Sequence, residues 1–346
     1  KSVAILAQAF WSHASAPTKA LSPEAEVACM MLFRRLWCLG VGLCLVLGSC
    51  EEDSGTCAAG SGTQCSSPGA VEGARNAVQA YFDALHMSNA NMFAKMWHPL
   101  GELLQTNEMK LQVLGSDDFR ARVVKRAQSM AEDYVKHDAI LSLTLLDANT
   151  AAAKVQIALP GPDSTPMHFV DFLVLLRDAD GWRVISKAFV GKPLTNRQVV
   201  KQPVRAMDFS AVTNMVWDNY LKPLRAADDE KVRDCFHKQA RLTFVSNETV
   251  QVIDSEAFLA RVKDRWSLPE HAPYAHLQGD PRASAVDTLL GVEFASPGLA
   301  LVTLRVGLPP FLYTDVLTLA SLERGRWWII AKTSVSEPFL ADERKR

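Results

Sequence analysis

Two residue types that could do chemistry occur in this chain in matched pairs. Asp171 and Asp315 each sit two residues ahead of a leucine and four ahead of another, Asp171-x-Leu173-x-Leu175 and Asp315-x-Leu317-x-Leu319. Tyr81 and Tyr220 each lie on an apolar stretch of helical spacing well upstream. A carboxylate beside an acidic carbon, with a tyrosine donating to the developing oxyanion, is the equipment of a proton-transfer isomerase. His168, three residues before Asp171, adds a group that titrates near neutral pH, and the second segment has Leu312 instead. Tyr81, His168 and Asp171 are therefore the candidate catalytic set. A tyrosine continuing an apolar helical face is more often a core residue than a catalytic one, and a histidine at a loop end more often has no special role.

A second set could hold a ligand. Arg126 and Arg265 both fall inside the apolar stripe of a predicted helix, counted from Phe119 and Phe258. An arginine aimed at a core needs an anionic partner, because an unpaired buried charge is very costly. That partner is either Asp171 and Asp315, in an ion pair tying helix to sheet, or an anionic ligand. Trp182 and Trp327 are core residues or stacking platforms for a planar ligand. Arg126, Trp182, Arg265, Asp315, Tyr220 and Trp327 are thus the ligand-binding candidates. His98 and His237, also matched, are expected at the end of a short helix, where the C-terminal carbonyls favour them.

These pairs are part of a longer duplication. Gln112-Val113-x-x-Ser116-x-x-Phe119-x-Ala121-Arg122-Val123-x-x-Arg126 aligns with Gln251-Val252-x-x-Ser255-x-x-Phe258-x-Ala260-Arg261-Val262-x-x-Arg265, eight identities in fifteen positions. Further on, Trp182, Ile185 and Lys187 align with Trp327, Ile330 and Lys332. The domain reading is 71–191 and 208–338, joined by a linker over 192–207, with a charged tail at 339–346.

Within each unit the order is helices first, then strands. Val71, Ala74, Val78, Tyr81, Phe82 and Leu85 have helical spacing. A short helix near 91–98 ends at Pro99, and extended segments follow near Leu103 and Leu111. Ser116 caps a third helix, with Asp117 and Asp118 suited to its first turn and Phe119, Val123, Met130 and Tyr134 as its stripe. Strands over 139–147, 151–159, 167–177 and 182–190 are separated by the turns Asp147-Ala148-Asn149-Thr150 and Asp178-Ala179-Asp180-Gly181. The second unit adds a Pro- and His-containing loop over 267–284. This is an α+β pattern: two tandem domains, each with about three N-terminal helices on a curved, mostly antiparallel sheet. The strand 169–176 is apolar on both faces, so the two sheets are expected to cover each other.

The repeated Asp-x-Leu-x-Leu, turn and Trp-x-x-Ile-x-Lys signature resembles the cone-shaped superfamily of nuclear transport factor two, SnoaL-like cyclases and ketosteroid isomerase, and within it the lumazine-binding branch. The resemblance covers nearly all of 71–338, twice. It implies a pocket between helices and sheet, pairing through the sheet, and in many members no known activity.

The remaining features bound the setting. The chain has 346 residues, 48% of them hydrophobic and 22% charged, with a net charge of −1, which gives no electrostatic footprint for nucleic acid. Arg34-Arg35, the apolar run from Leu36 to Leu47 and Gly48-Ser49-Cys50 have the layout of an export signal, starting from Met30 or Met31, with a lipobox-like end at Cys50. The segment 1–50 is thus read as an extension plus leader, and 51–70 as a Gly/Ser/Cys linker. The apolar run is too short to span a bilayer, so membrane contact is expected only through this segment. Cys57 and Cys65 could close a loop in an oxidising compartment, and Asn247-Glu248-Thr249 is a glycosylation sequon. Cys235 reads as a buried apolar residue on a helix. No metal-binding spacing, phosphate loop, dinucleotide fingerprint or nucleophile elbow is present, so neither metal nor cofactor is expected. Three functions remain: non-enzymatic binding of a small apolar or aromatic ligand, a cofactor-independent isomerase, cyclase or dehydratase, and an interaction scaffold with filled pockets.

Overall fold

The computed structural model describes residues 68–107, 110–127, 136–160, 166–193, 203–246, 249–278 and 286–339. The leader pattern, Cys50, Cys57, Cys65, Met130, Tyr134 and the sequon's Asn247 and Glu248 lie outside them. In the first repeat, α1 (Pro68–Met87), α2 (Ala90–Met96), β1 (Trp97–Asn107), β2 (Lys110–Leu114) and α3 (Ser116–Ala127) precede a meander. The meander is β3 (Ala139–Leu145), β4 (Thr150–Pro160), β5 (Pro166–Asp178) and β6 (Gly181–Pro193). The sheet order is β2-β1-β6-β5-β4-β3, and β1 runs parallel to β6 while the other pairs are antiparallel.

The helices form where periodicity and capping agree. Ala74, Val78, Tyr81, Phe82 and Leu85 of α1 are buried at helical spacing, whereas Val71 faces outward. Asn89 caps α2, its Oδ1 accepting from the backbone of Asn91 and Met92. α2 ends sooner than its pattern suggests. Met96 closes it, and Pro99 sits inside β1 near its start, a strand position that tolerates proline. His98 is therefore not at a helix end: its Nδ1 accepts from the Leu100 backbone, and its Nε2 is 3.5 Å from Asp178. His237 likewise lies in a strand and accepts from the backbone of Gln239.

The second repeat follows the same order. α4 (Ala206–Asn214) runs through a π-helical turn (Met215–Leu221) into α5 (Lys222–Ala226), and α6 (Asp229–Arg233) follows. Cys235 is buried just beyond α6, not on it, with its Sγ 2.9 Å from the Val232 carbonyl. Then come β7 (Phe236–Ser246), β8 (Thr249–Asp254), α7 (Ser255–Asp264), two 3-10 turns (Arg265–Ser267 and Ala272–Leu277), β9 (Thr288–Ser296), β10 (Leu299–Leu308), β11 (Phe311–Leu322) and β12 (Arg326–Pro338). The sheet order β8-β7-β12-β11-β10-β9 repeats the first, including the parallel pair. The hairpin turns are set locally. Asp178 accepts from the Asp180 backbone, and Gly181 takes a positive φ of 106° that most side chains would resist.

Each repeat has its own helix–sheet core, and a third core joins them. Phe172, Val174 and Leu176 of β5 pack in one buried cluster with Leu301, Val316 and Ile330 of the second sheet. The alternate residues Leu173 and Leu175 belong to the first helix–sheet core. A strand apolar on both faces is what two stacked layers require. Polar contacts flank the seam: Arg241 lies 3.2 Å from Glu102, and Ser142 donates to Glu293 at 2.8 Å.

Candidate functional site

Each helix–sheet core buries a polar triad built from the same three elements. In β5, Asp171 lies opposite Phe189 of β6, and Lys187 lies opposite Leu173. Residues two apart share a face, so Asp171 and Lys187 are diagonal neighbours looking at the helices. Tyr81 comes down onto them from α1. Its hydroxyl donates to Asp171 Oδ2 at 2.5 Å, and Lys187 Nζ donates to the same oxygen at 2.7 Å and to the Tyr81 oxygen. The second repeat reproduces this with Tyr220, Asp315 and Lys332, Tyr220 donating at 2.8 Å and Lys332 pairing with Asp315. Burial pushes the Lys187 and Lys332 ammonium groups below the usual lysine range, against the pull of their aspartates. Burial, reinforced by the neighbouring carboxylate, holds Tyr81 and Tyr220 well above the ordinary phenol.

The expected Arg–Asp ion pair is not what forms. The aspartates pair with lysines of their own sheet, because an adjacent strand delivers an ammonium to diagonal distance whereas the arginines arrive from a helix end. Lys187 and Lys332 were legible as identical residues closing Trp-x-x-Ile-x-Lys. They carry the charge partner that the arginines were expected to supply.

His168 is separated from this centre. It stands three residues from Asp171 on an unbroken stretch of β5, so it points to the opposite, sheet-to-sheet face with Val170 and Phe172. Tyr81 and Asp171 meet; His168 does not join them. Trp182 and Trp327 stand apart as well. Trp327 is buried in the second core, and Trp182 packs so tightly on α1 that a Cβ at Gly73 would lie 2.6 Å from its ring. Both serve as core.

The two repeats differ beside the triad. In the second, Ser334 faces Asp315 across the strands and donates to its Oδ1 at 2.6 Å. The first has Phe189 there, its ring centre 5.0 Å from Lys187 Nζ, and Asp171 Oδ1 is buried without a hydrogen-bond partner among the described residues. Next to Ser334 opens a cavity of about 150 Å³. Tyr220, Lys332, Asp315 and Arg265 form its polar side, and Phe244, Phe258 and Tyr313 its apolar wall. Leu268 and His271, from the segment between α7 and β9, form part of its rim. His271 is fixed by a 2.7 Å contact between its Nδ1 and the Pro309 carbonyl. Arg265 is 7% exposed; it donates to the Leu224 carbonyl at 2.9 Å and makes no ion pair among the described residues. Its counterpart Arg126 ends α3 half-buried, close enough for its charge to act on Tyr81 and Lys187.

Two larger hollows lack this convergence. One of about 280 Å³ crosses the seam by Thr144, Leu290 and Glu293, and one of about 380 Å³ lies at the surface beside His237 and Trp328. Neither contains a buried charge. No group of three or more possible metal ligands occurs among the described residues.

Helices laid on a curved six-stranded sheet around a buried polar centre define the class, the nuclear-transport-factor-two-like α+β fold, present here in tandem. The family described as "Putative lumazine-binding" matches residues 70–190 and again 207–334, and the chain belongs to it. No curated protein matches the chain. Among solved structures it is similar to an NTF-2 like protein of unknown function from Silicibacter pomeroyi DSS-3, with 20% identity, 35% of this chain and 95% of that one covered, and a TM-score of 0.31. An NTF2-like protein of unknown function from Methylobacillus flagellatus KT gives 16%, 36%, 94% and 0.31. A ketosteroid isomerase-like protein from Erwinia carotovora atroseptica SCRI1043 gives 15%, 36%, 97% and 0.28.

Proposed function

We propose that this protein binds a small apolar or aromatic ligand in the helix–sheet cavity of its second repeat, and releases it unchanged. The observation that carries this reading is the cavity itself: an apolar wall of Phe244, Phe258 and Tyr313 opposite a few convergent polar groups, the usual composition of a ligand pocket. Its volume suits one six-membered ring, since an apolar cavity of about 150 Å³ holds benzene. A fused two- or three-ring ligand such as a pteridine or flavin needs the rim around His271 to move.

The isomerase alternative has less support. Asp315 already accepts from Tyr220, Ser334 and Lys332, so neither oxygen is directed at a substrate carbon. In the first repeat, His168 and Asp171 occupy opposite faces. The scaffold alternative draws on the first repeat alone, where Phe189 stands in the place of Ser334.

The setting we propose is extracytoplasmic, secreted or held at a membrane through the N-terminal segment, with lipid attachment at Cys50 as one form. Support comes from Arg34-Arg35, the apolar run to Leu47 and the Gly48-Ser49-Cys50 ending. No helix among the described residues is long and apolar enough to cross a membrane. The near-neutral charge supports a small-molecule partner over nucleic acid.

Thermal-shift screening of the full chain with one-, two- and three-ring compounds tests the binding reading. One-ring compounds should raise the unfolding midpoint and be recovered intact by mass spectrometry. Turnover of a bound compound, or no shift with any ring size, would overturn it. Fractionation of cells expressing the chain, with labelled fatty acid, tests export and lipidation.

A further inference from the structure

The charges around the second-repeat cavity do not balance. Lys332 is matched by Asp315, which is fully engaged. Arg225, nearby, is matched by Asp287. Arg261 is exposed at the rim, where it donates to Gln251 and lies 5.4 Å from the Phe244 ring centre. Glu270, also lining the rim, is exposed and makes no ion pair with Arg265 among the described residues. That leaves Arg265 as a cation almost fully removed from water, with five N–H donors and, among the described residues, a single carbonyl accepting from them. A guanidinium kept in that state invites an anion, and its planar fork matches a carboxylate.

The differences between the repeats point the same way. Where the second repeat has Phe244, Tyr313 and Ser334 on the cavity wall, the duplication places Gln105, Phe169 and Phe189 in the first. The α1 helix runs regularly through Tyr81, whereas the helix carrying Tyr220 contains a π-helical turn, a distortion that is frequent at functional sites. The triad is common to both repeats, and so are aromatic rings at the Phe258 and Tyr313 positions; the second repeat adds Phe244 where the first has Gln105 and replaces the bulk of Phe189 with Ser334.

We infer that the ligand is a small carboxylate with a one-ring apolar body, held in the second repeat with its carboxylate on Arg265 and its ring against Phe244, Phe258 and Tyr313. This rests on the pocket reading above and adds the anionic group and its counter-ion. Hydrogen bonds to a buried charged group are strong enough to separate a carboxylate from its neutral isostere by about tenfold or more.

Calorimetric titration of the full chain with benzoate and with benzyl alcohol, at one ionic strength, tests the inference. Benzoate should bind at least about tenfold tighter, and Arg265→Gln should bring the two within about twofold while Ser334→Phe abolishes both. Equal binding of the two compounds by the native chain would overturn the carboxylate while leaving the pocket standing. Binding of neither would overturn both. A benzoate preference that survives in folded Arg265→Gln would remove Arg265 from its role. Should that variant fail to fold, the native-chain comparison still decides the carboxylate, and Arg265→Lys, which keeps the charge without the fork, should retain only part of the preference.

Discussion

Replacing Lys187 with methionine should destabilise the first repeat severely, and the size of the loss follows from the geometry. Asp171 is 0% exposed and Lys187 4%, so the pair has almost no solvent screening to discount. Removing one partner of such a pair strands the other charge and costs about 3–5 kcal/mol. The Tyr81 hydroxyl still donates to Asp171 Oδ2 and retains about 1 kcal/mol of that, which leaves an expected loss of about 3 kcal/mol. Removing both charges together, Lys187→Met with Asp171→Asn, should recover most of it, because the asparagine still accepts from Tyr81 and no ion remains buried. Urea unfolding followed by tryptophan fluorescence and far-ultraviolet circular dichroism gives the stabilities of the native chain, Lys187→Met, Asp171→Asn alone and the double variant. The double-mutant cycle should show a coupling of at least about 2 kcal/mol. A single-variant loss below about 1 kcal/mol, or strict additivity, would refute the claim that the pair is desolvated and mutually dependent.

Three other outcomes are expected. Ser334→Phe should give the second repeat the side chain found in the first, abolish ligand-induced stabilisation, and cost about 1–3 kcal/mol in the unliganded chain by removing a donor to Asp315 Oδ1. Burial pushes the Glu102 carboxyl up to about 7 despite Arg241, so the folded state holds its proton where the unfolded chain has lost it. This contribution is complete below about pH 4.5 and lost as pH rises through about 7, and Glu102→Gln should flatten the pH–stability profile across that window. Val316→Asp should put an unpaired charge into the seam between the sheets and cost at least about 3 kcal/mol; an unchanged midpoint would show that the seam opens readily to water.

The duplication made much of the fold legible, because two copies of one pattern act as their own alignment. The helix-then-meander order and the doubly apolar strand at Phe169–Leu176 were both readable, since strand alternation is a local property. What failed depended on direction in space. Arg126 and Arg265 fall on the apolar arc of a helical wheel, and the wheel shows that they point inward but not which carboxylate they reach. Lys187 and Lys332 were visible as repeated residues, yet their pairing needs the cross-strand register that sets Leu173 opposite Lys187. His168 was grouped with Asp171 by proximity in sequence, although a separation of three on a strand places side chains on opposite faces. The aromatic wall was hidden for another reason: Phe244 and Tyr313 lie on different strands and lack identical counterparts in the first repeat.

The buried triad is better understood as a register lock than as a catalytic centre. Both faces of β5 are apolar, so hydrophobicity alone does not say which set of side chains should face the helices and which the other sheet. Sliding β5 by one residue would exchange the faces. It would carry Asp171 away from Tyr81 and Lys187 and into the dry seam among residues such as Leu301 and Ile330, leaving both members of the pair buried alone. The desolvation that makes the native pair a weak source of net stability thereby makes the slipped register prohibitive. The same argument applies to Asp315 in β11. A fold obliged to keep one buried charge pair in each repeat for this purpose already has a polar patch inside its apolar interior. A serine in place of a phenylalanine beside that patch then leaves room next to polar groups that are already in place.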